Sequence, residues 1–149
     1  MDDYYKNLPK KRMAAGALIF DKDGRLLVVK PSYKDFWSIP GGVVEDDESP
    51  LAGCRREVLE EVGLKLKKLD FVCLEYTCDE KRGESLQFIF TTRLQTLPKV
   101  KIDNKEIIEY KFVLEKEALR LIGGNLRRRL PKCLEAVRKG EVIYLENGK

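Results

Sequence analysis

The chain has 149 residues, 43% of them hydrophobic and 36% charged, with a formal net charge of +4 at pH 7. That balance can bury a core within one domain, residues 1–149, and argues against an intrinsically disordered chain. Runs such as AAGALIF and RLLVV are too short to span a bilayer, MDDYYKNLPKKR lacks the apolar stretch of a secretory leader, and four cysteines without any histidine disfavour a zinc site, so the expectation is a cytoplasmic protein with reduced thiols.

In chain order, RMAAGALIFD and GRLLVVKPS are β-rich runs separated by DKDG, where the Asp23-Gly24 pair signals a hairpin turn. DFWSIPGGVV reads as a short strand running into a loop at Pro40-Gly41-Gly42. Ser49-Pro50 supplies an N-cap followed by proline at the first helical position, starting a helix from about Pro50 to Val62, and Gly63 is the left-handed residue expected after it. KKLDFVCLEYTCD and ESLQFIFTTRL are strands joined by a polar turn, and EIIEYKFV is another. Cys73 and Cys78 differ by an odd number within one strand, so they point to opposite faces and form no local disulfide. EKEALRLIGG reads as a short helix, NLRRRLPKCLEAVRKG as a longer one that starts or kinks around Pro131, and EVIYLE as a last strand. The pattern predicts an α/β (α+β) fold, a mixed sheet covered by helices. Arg127, Arg128, Arg129, Lys132, Arg138 and Lys139 crowd the last helix, where a solvated face is favoured over an anion or nucleic-acid patch.

The helix after Pro50 carries an arrangement that local physics opposes. Leu51, Cys54, Val58 and Val62 make one apolar stripe, and Glu57, Glu60 and Glu61 fall within a roughly 100° arc beside it. The pairs Glu57/Glu60 and Glu57/Glu61 each cost roughly 0.2–0.5 kcal/mol by like-charge repulsion. A carboxylate in the last helical turn loses ~0.3–1 kcal/mol more against the helix dipole. Arg56, four residues before Glu60, neutralises part of the cluster, and the glycines upstream let backbone carbonyls approach the same place. A hard divalent cation resolves the repulsion, because Mg²⁺ takes a few carboxylate oxygens and bridges to substrate phosphates.

Gly42, Glu48 and the run REVLEEVGL from Arg56 to Leu64 fit the pattern G-x5-E-x7-R-E-U-x-E-E-x-G-U, with U aliphatic, and so the chain resembles the Nudix hydrolases. Its fixed positions coincide by chance on the order of once in 10⁹ starting points. The preceding FWSIPGG and the strand order also look like that family, whose fold is an α/β/α sandwich with a mixed sheet. The resemblance implies a hydrolase of a nucleoside diphosphate linked to another moiety, dependent on Mg²⁺ or Mn²⁺. By position in the motif, Glu57, Glu60 and Glu61 would be the metal-binding carboxylates, joined by the main-chain carbonyl of Gly42. Arg56 would orient the glutamates and Glu48 would support them. Family members differ in the general base, which here would be Glu57 or a downstream glutamate, Glu106 first and Glu109 behind it.

The motif leaves the substrate open. The proline expected beyond it in ADP-ribose hydrolases is replaced by Glu80, and the tyrosine of diadenosine polyphosphate hydrolases is absent from Glu80, Lys81 and Arg82. A nucleoside triphosphate, normal or modified, cleaved to monophosphate and pyrophosphate is the first expectation by elimination. ADP-ribose or another nucleotide sugar or dinucleotide is an alternative, and a non-catalytic nucleotide or nucleic-acid binding module is another. Trp37 is a candidate for stacking on a base, and Arg25, Lys30 and Lys34 are candidates for receiving phosphate charge. The expected partner is a small nucleotide, with no membrane and nucleic acid less favoured, and the family's many dimers leave a homodimer open.

Overall fold

A computed structural model describes residues 1–149. The elements in order are α1 (Asp3–Lys6), β1 (Arg12–Phe20), β2 (Leu26–Pro31), β3 (Gly41–Val43), α2 (Pro50–Val62), β4 (Asp70–Asp79), β5 (Gly83–Arg93), β6 (Ile107–Val113), α3 (Glu115–Leu121), α4 (Leu126–Lys139) and β7 (Ile143–Glu146). The strands form one seven-stranded sheet in the order β6-β2-β1-β5-β4-β7, with β3 pairing β1 off that path. β1 runs parallel to β5, and β4 parallel to β7, while the remaining pairings are antiparallel. The expected mixed sheet with helices on its faces is therefore the architecture observed. No helix is long and apolar enough to cross a membrane.

Alternation along β1 sorts the core into two layers. Ala15, Ala17 and Ile19 pack with Cys54, Val58 and Val62 of α2 on one face, whereas Leu18 packs with Ala118, Leu130 and Leu134 of α3 and α4 on the other. The apolar stripe read from the sequence is thus the seam that seats α2 on the sheet. Both ends of α2 are fixed locally: Ser49 Oγ accepts from the Ala52 N–H at 3.1 Å, and Gly63 adopts φ 70° as the cap. α1, which was not expected from the sequence, is a single exposed turn that buries nothing, capped by Asp2, whose side chain accepts from the Tyr4 N–H at 3.0 Å. The last helix starts at Leu126 and holds Pro131 within it.

β1 and β2 pair at Phe20 and Leu26 near the hairpin. Beyond that the segment after Trp37 enters the sheet: Ser38 and Val29 exchange hydrogen bonds of 2.8 Å, and the Pro40 carbonyl accepts from Ala17 N at 3.0 Å. The expected strand before the glycines is reduced to isolated bridges at Trp37 and Ser38, and the regular strand begins at Gly41. The reason is steric. Gly41 and Gly42 pair with Gly16 and Ala15, and a Cβ on Gly41 would lie 2.4 Å from the Ala15 carbonyl oxygen. Only glycine lets β3 approach β1 this closely. Gly41→Ala is accordingly expected to lower unfolding free energy by about 1–3 kcal/mol, the usual cost of forcing atoms into a packed site. Urea denaturation measures this, and a variant as stable as the parent would refute the close approach.

Candidate active site

Glu57 and Glu61 lie one turn apart on α2, facing the β3 glycines. Glu61 is 7% exposed, and its Oε1 accepts from the Gly41 N–H at 2.9 Å. The Glu57 carboxyl rests against Gly42, where an added Cβ would come within 2.6 Å of its Cδ. Both glycines are therefore required, one for the pairing with β1 and the other for the carboxylate in front of it.

Glu106 arrives from the far side of the sequence. The chain passes the end of α2, where the Lys101 N–H donates to the Val62 carbonyl at 2.9 Å. Asp103 Oδ1 then accepts from Lys105 N at 3.1 Å and Ile107 N at 2.9 Å, folding the loop over itself, and Ser32 N anchors the Glu106 carbonyl at 2.8 Å. As a result, side-chain oxygens of Glu57, Glu61 and Glu106 lie within 4.8 Å of one another.

Arg56 organises the neighbouring acids. Its Nε and Nη2 donate to the two oxygens of Glu48 at 2.8 and 3.0 Å, Nη2 also reaches the Val43 carbonyl at 3.0 Å, and Nη1 donates to Glu57 Oε1 at 2.9 Å and Glu60 Oε2 at 3.3 Å. The bond from Arg56 holds the Glu48 carboxyl down at about 2. Those bonds, to Glu48 foremost, raise the guanidinium further above its already high range. Glu48 thus serves as the anchor of Arg56. Glu60 stays outside the carboxylate group, exposed on the helix and touched by Arg56.

Burial is the main force on the protonation of Glu57 and Glu61. It raises Glu57, against the opposing pull of Arg56, and with the charges of Glu57, Glu106 and Asp103 it pushes Glu61 up to about 8, although the Gly41 N–H favours the anion. The Tyr33 hydroxyl is raised by burial and then by the charges of Glu61, Glu106 and Glu57, which marks the ring as a neighbour of the same group. Three hard oxygen donors gathered in this way fit a divalent cation such as Mg²⁺.

A cavity of about 370 Å³ opens from this corner. Gly41, Gly42 and Glu61 line one end, Tyr33, Lys34 and Phe36 contribute to its wall, and Gln87, Asn125 and Arg129 line it as well. Of the side chains proposed from sequence for substrate, Lys34 lines the cavity and the others lie elsewhere. Arg25 is engaged in the hairpin with Asp21 at 3.0 Å and Asp23 at 3.3 Å. Val29 and Pro31 line the cavity, so alternation turns Lys30 away, and its Nζ donates to the carbonyls of Pro31 and Lys34. Trp37 packs against the α3–α4 core with the Lys111 ammonium 4.9 Å from its ring centre. Glu109 pairs with Lys30 across β6 and β2, away from the acidic group. Gln87, Asn125 and Arg129 were not anticipated as lining residues. A signal for them existed in the polar positions Glu75, Thr77, Ser85 and Gln87, which share one face of otherwise apolar strands.

A family model described as NUDIX domain matches residues 10–133. A MutT-like protein of Streptomyces ambofaciens is 37% identical over 59 residues, and the match spans 40% of this chain and 38% of that protein's length. Phosphatase NudJ of Shigella boydii is 26% identical over 124 residues, 82% of this chain and 78% of the other. The crystal structure of a MutT protein from Methanosarcina mazei Go1 superimposes with a TM-score of 0.70 at 24% identity, covering 90% of this chain and 99% of that one, and so shares the fold.

The raised Glu61 makes a pH-dependent prediction. Its folded value of about 8 lies above the ordinary 4.5, so the folded state holds the proton more tightly than the unfolded one. Metal-free stability is then undiminished below about 4.5, falls as pH rises, and levels off above about 8, a loss on the order of a few kcal/mol. Glu61→Gln should raise the metal-free melting temperature at pH 8 or above, leave it unchanged in acid, and weaken the stabilisation that added Mg²⁺ gives. Calorimetric scans across pH test this, and parallel wild-type and variant curves would sink it.

Proposed function

The chain belongs to the NUDIX domain family, and on that premise we propose that it hydrolyses a nucleoside diphosphate linked to another moiety, with a nucleoside triphosphate, normal or modified, as preferred substrate, cleaved to monophosphate and pyrophosphate. The observation that carries this reading is the gathering of Glu57, Glu61 and Glu106, with Glu61 lining one end of a cavity large enough for a nucleotide. Mg²⁺ or Mn²⁺, when held by these carboxylates and the Gly42 carbonyl, supplies neutralisation of phosphate oxygens.

The protein's own groups divide the remaining work. Lys34 lines the cavity and meets phosphate charge from its wall, whereas Arg82, which also lines it, is paired through Nε with Asp79 at 3.0 Å. Arg56 fixes Glu57 through the Nη1 bond at 2.9 Å, and Gly41 N–H fixes Glu61 at 2.9 Å. Glu106 is the member of the group whose carboxylate accepts no protein hydrogen bond, so it is the one free to take the proton of an attacking water. Glu60 lies outside the group and takes no direct part in this scheme.

Phosphate and pyrophosphate release should be followed from nucleoside triphosphates, dinucleotides and nucleotide sugars, with Mg²⁺ or Mn²⁺ and with chelator. Chelator-sensitive turnover is expected. Glu106→Gln should lower kcat by about 10²-fold or more, the usual contribution of a positioned base, while Glu60→Gln changes it far less. A Glu60 variant as impaired as the Glu106 variant would overturn the division of roles, and a folded protein inert toward the whole panel would overturn hydrolysis.

A further inference from the structure

Arg129 is 5% exposed, yet it lines the cavity. Its Nε donates to Glu75 Oε1 at 2.5 Å, and Glu75, 1% exposed, uses its other oxygen to accept from Gly148 N at 2.5 Å. Lys132 clamps the same C-terminal turn by donating to the Gly148 carbonyl at 2.7 Å. The two terminal nitrogens of Arg129 have no protein acceptor, and they are not sealed from the cavity. A buried guanidinium fixed by one nitrogen, with its remaining donors unused, is built to meet a ligand.

The surroundings decide which ligand. Glu75 already balances the charge, so an entering anion meets a nearly neutral pair and gains little. A neutral group with two adjacent acceptors gains both hydrogen bonds. Gln87, opposite Glu75 in the β4–β5 register, donates its Nε2 to Ser85 Oγ at 2.9 Å and leaves its carbonyl oxygen for a ligand N–H. Phe36 lies flat enough on the Gly123 and Gly124 backbone that a Cβ on Gly123 would come within 2.4 Å of its ring, giving the cavity a rigid aromatic wall.

We propose that Arg129 reads the base of the nucleotide, its terminal nitrogens donating to the paired acceptors O6 and N7 of a 6-oxopurine. This rests on the reading of the cavity as a nucleotide site. Adenine presents an amino donor beside N7, and a purine oxidised at C8 carries hydrogen on N7, so both set donor against donor. Guanine and hypoxanthine share the accepted edge.

The test is calorimetric binding of guanosine, inosine, 7-deazaguanosine, 8-oxoguanosine and adenosine 5′-α,β-methylene triphosphates to the full chain and to Arg129→Lys, which retains the charge beside Glu75 but loses the fork. Guanosine and inosine analogues should bind about 5- to 150-fold tighter than adenosine, the range for one bidentate base contact. The 7-deaza and 8-oxo analogues should fall toward adenosine. In Arg129→Lys the preference should collapse with adenosine affinity unchanged, whereas a merely structural role would weaken all analogues alike. Equal affinities in the wild type, a preference that survives in the variant, or no binding by any analogue would each overturn the proposal. Selective binding without turnover of any substrate would instead overturn hydrolysis and leave the base assignment standing.

Discussion

Three carboxylates within 4.8 Å of one another, Glu61 buried, Glu57 half-buried and Glu106 exposed, set the terms for much of the surrounding structure. Each fully ionised pair at that separation costs roughly 3–4 kcal/mol at an effective dielectric of about 20. That is several times the roughly 0.2–0.5 kcal/mol of a like-charge pair on an isolated helix. The helical spacing of Glu57 and Glu61 is therefore the smaller part of the conflict. The larger part is created by tertiary structure, when the segment between β5 and β6 delivers Glu106 to the same corner. The fold meets this locally with the Arg56 guanidinium on Glu57 and the Gly41 N–H on Glu61, and by letting Glu61 keep its proton to about pH 8.

The backbone is shaped by the same constraint. Gly41 brings β3 against β1 and turns its N–H toward Glu61, while Gly42 leaves room for the Glu57 carboxyl. Gly63 ends α2 in a left-handed turn beside Lys101, so that the chain returning past the helix terminus runs close to it. From there the Asp103 turn and the Ser32 bond aim the Glu106 segment back at the helix. Glu48 has a subtler place. By occupying two nitrogens of Arg56, it fixes the plane of the guanidinium and so the nitrogen left for Glu57.

What could be read from sequence follows the range of the interactions that decide it. The bounds of α2 depend on Ser49, Pro50 and Gly63, all adjacent in sequence, and the structure places them where those residues indicate. The hairpin at Asp23-Gly24 and the mixed sheet were legible for the same reason. The segment around Trp37 was not, because its position depends on how closely the distant β1 approaches Gly41. The acidic corner was legible as chemistry but less so as geometry. The motif offers Glu60 as readily as Glu61, and only the packing of α2 shows which of them faces the cavity and which faces solvent beside Arg56. Lys30 and Arg25 were plausible by charge alone, but strand parity turns the first away and the hairpin acids occupy the second.

The buried pair of Arg129 and Glu75 gains its meaning from what it prevents. Replacing such a pair by well-packed apolar side chains is often neutral or stabilising, so stability alone gives little reason to keep it. Here the pair stands on a polar stripe, Glu75 and Thr77 on β4 with Ser85 and Gln87 on β5, beneath a helix that otherwise buries leucines. Thr77 and Ser85 satisfy each other at 2.6 Å, and Gln87 joins them, so the stripe is internally bonded and rigid. Beside it on β1 stand Ala14 and Gly16, paired with Gln87 and Ile89 and too small to reach across. Leucine or methionine at the polar positions would fill the space beneath α4. Fixed polar groups beside small residues instead keep a cavity open from the carboxylate corner into the protein.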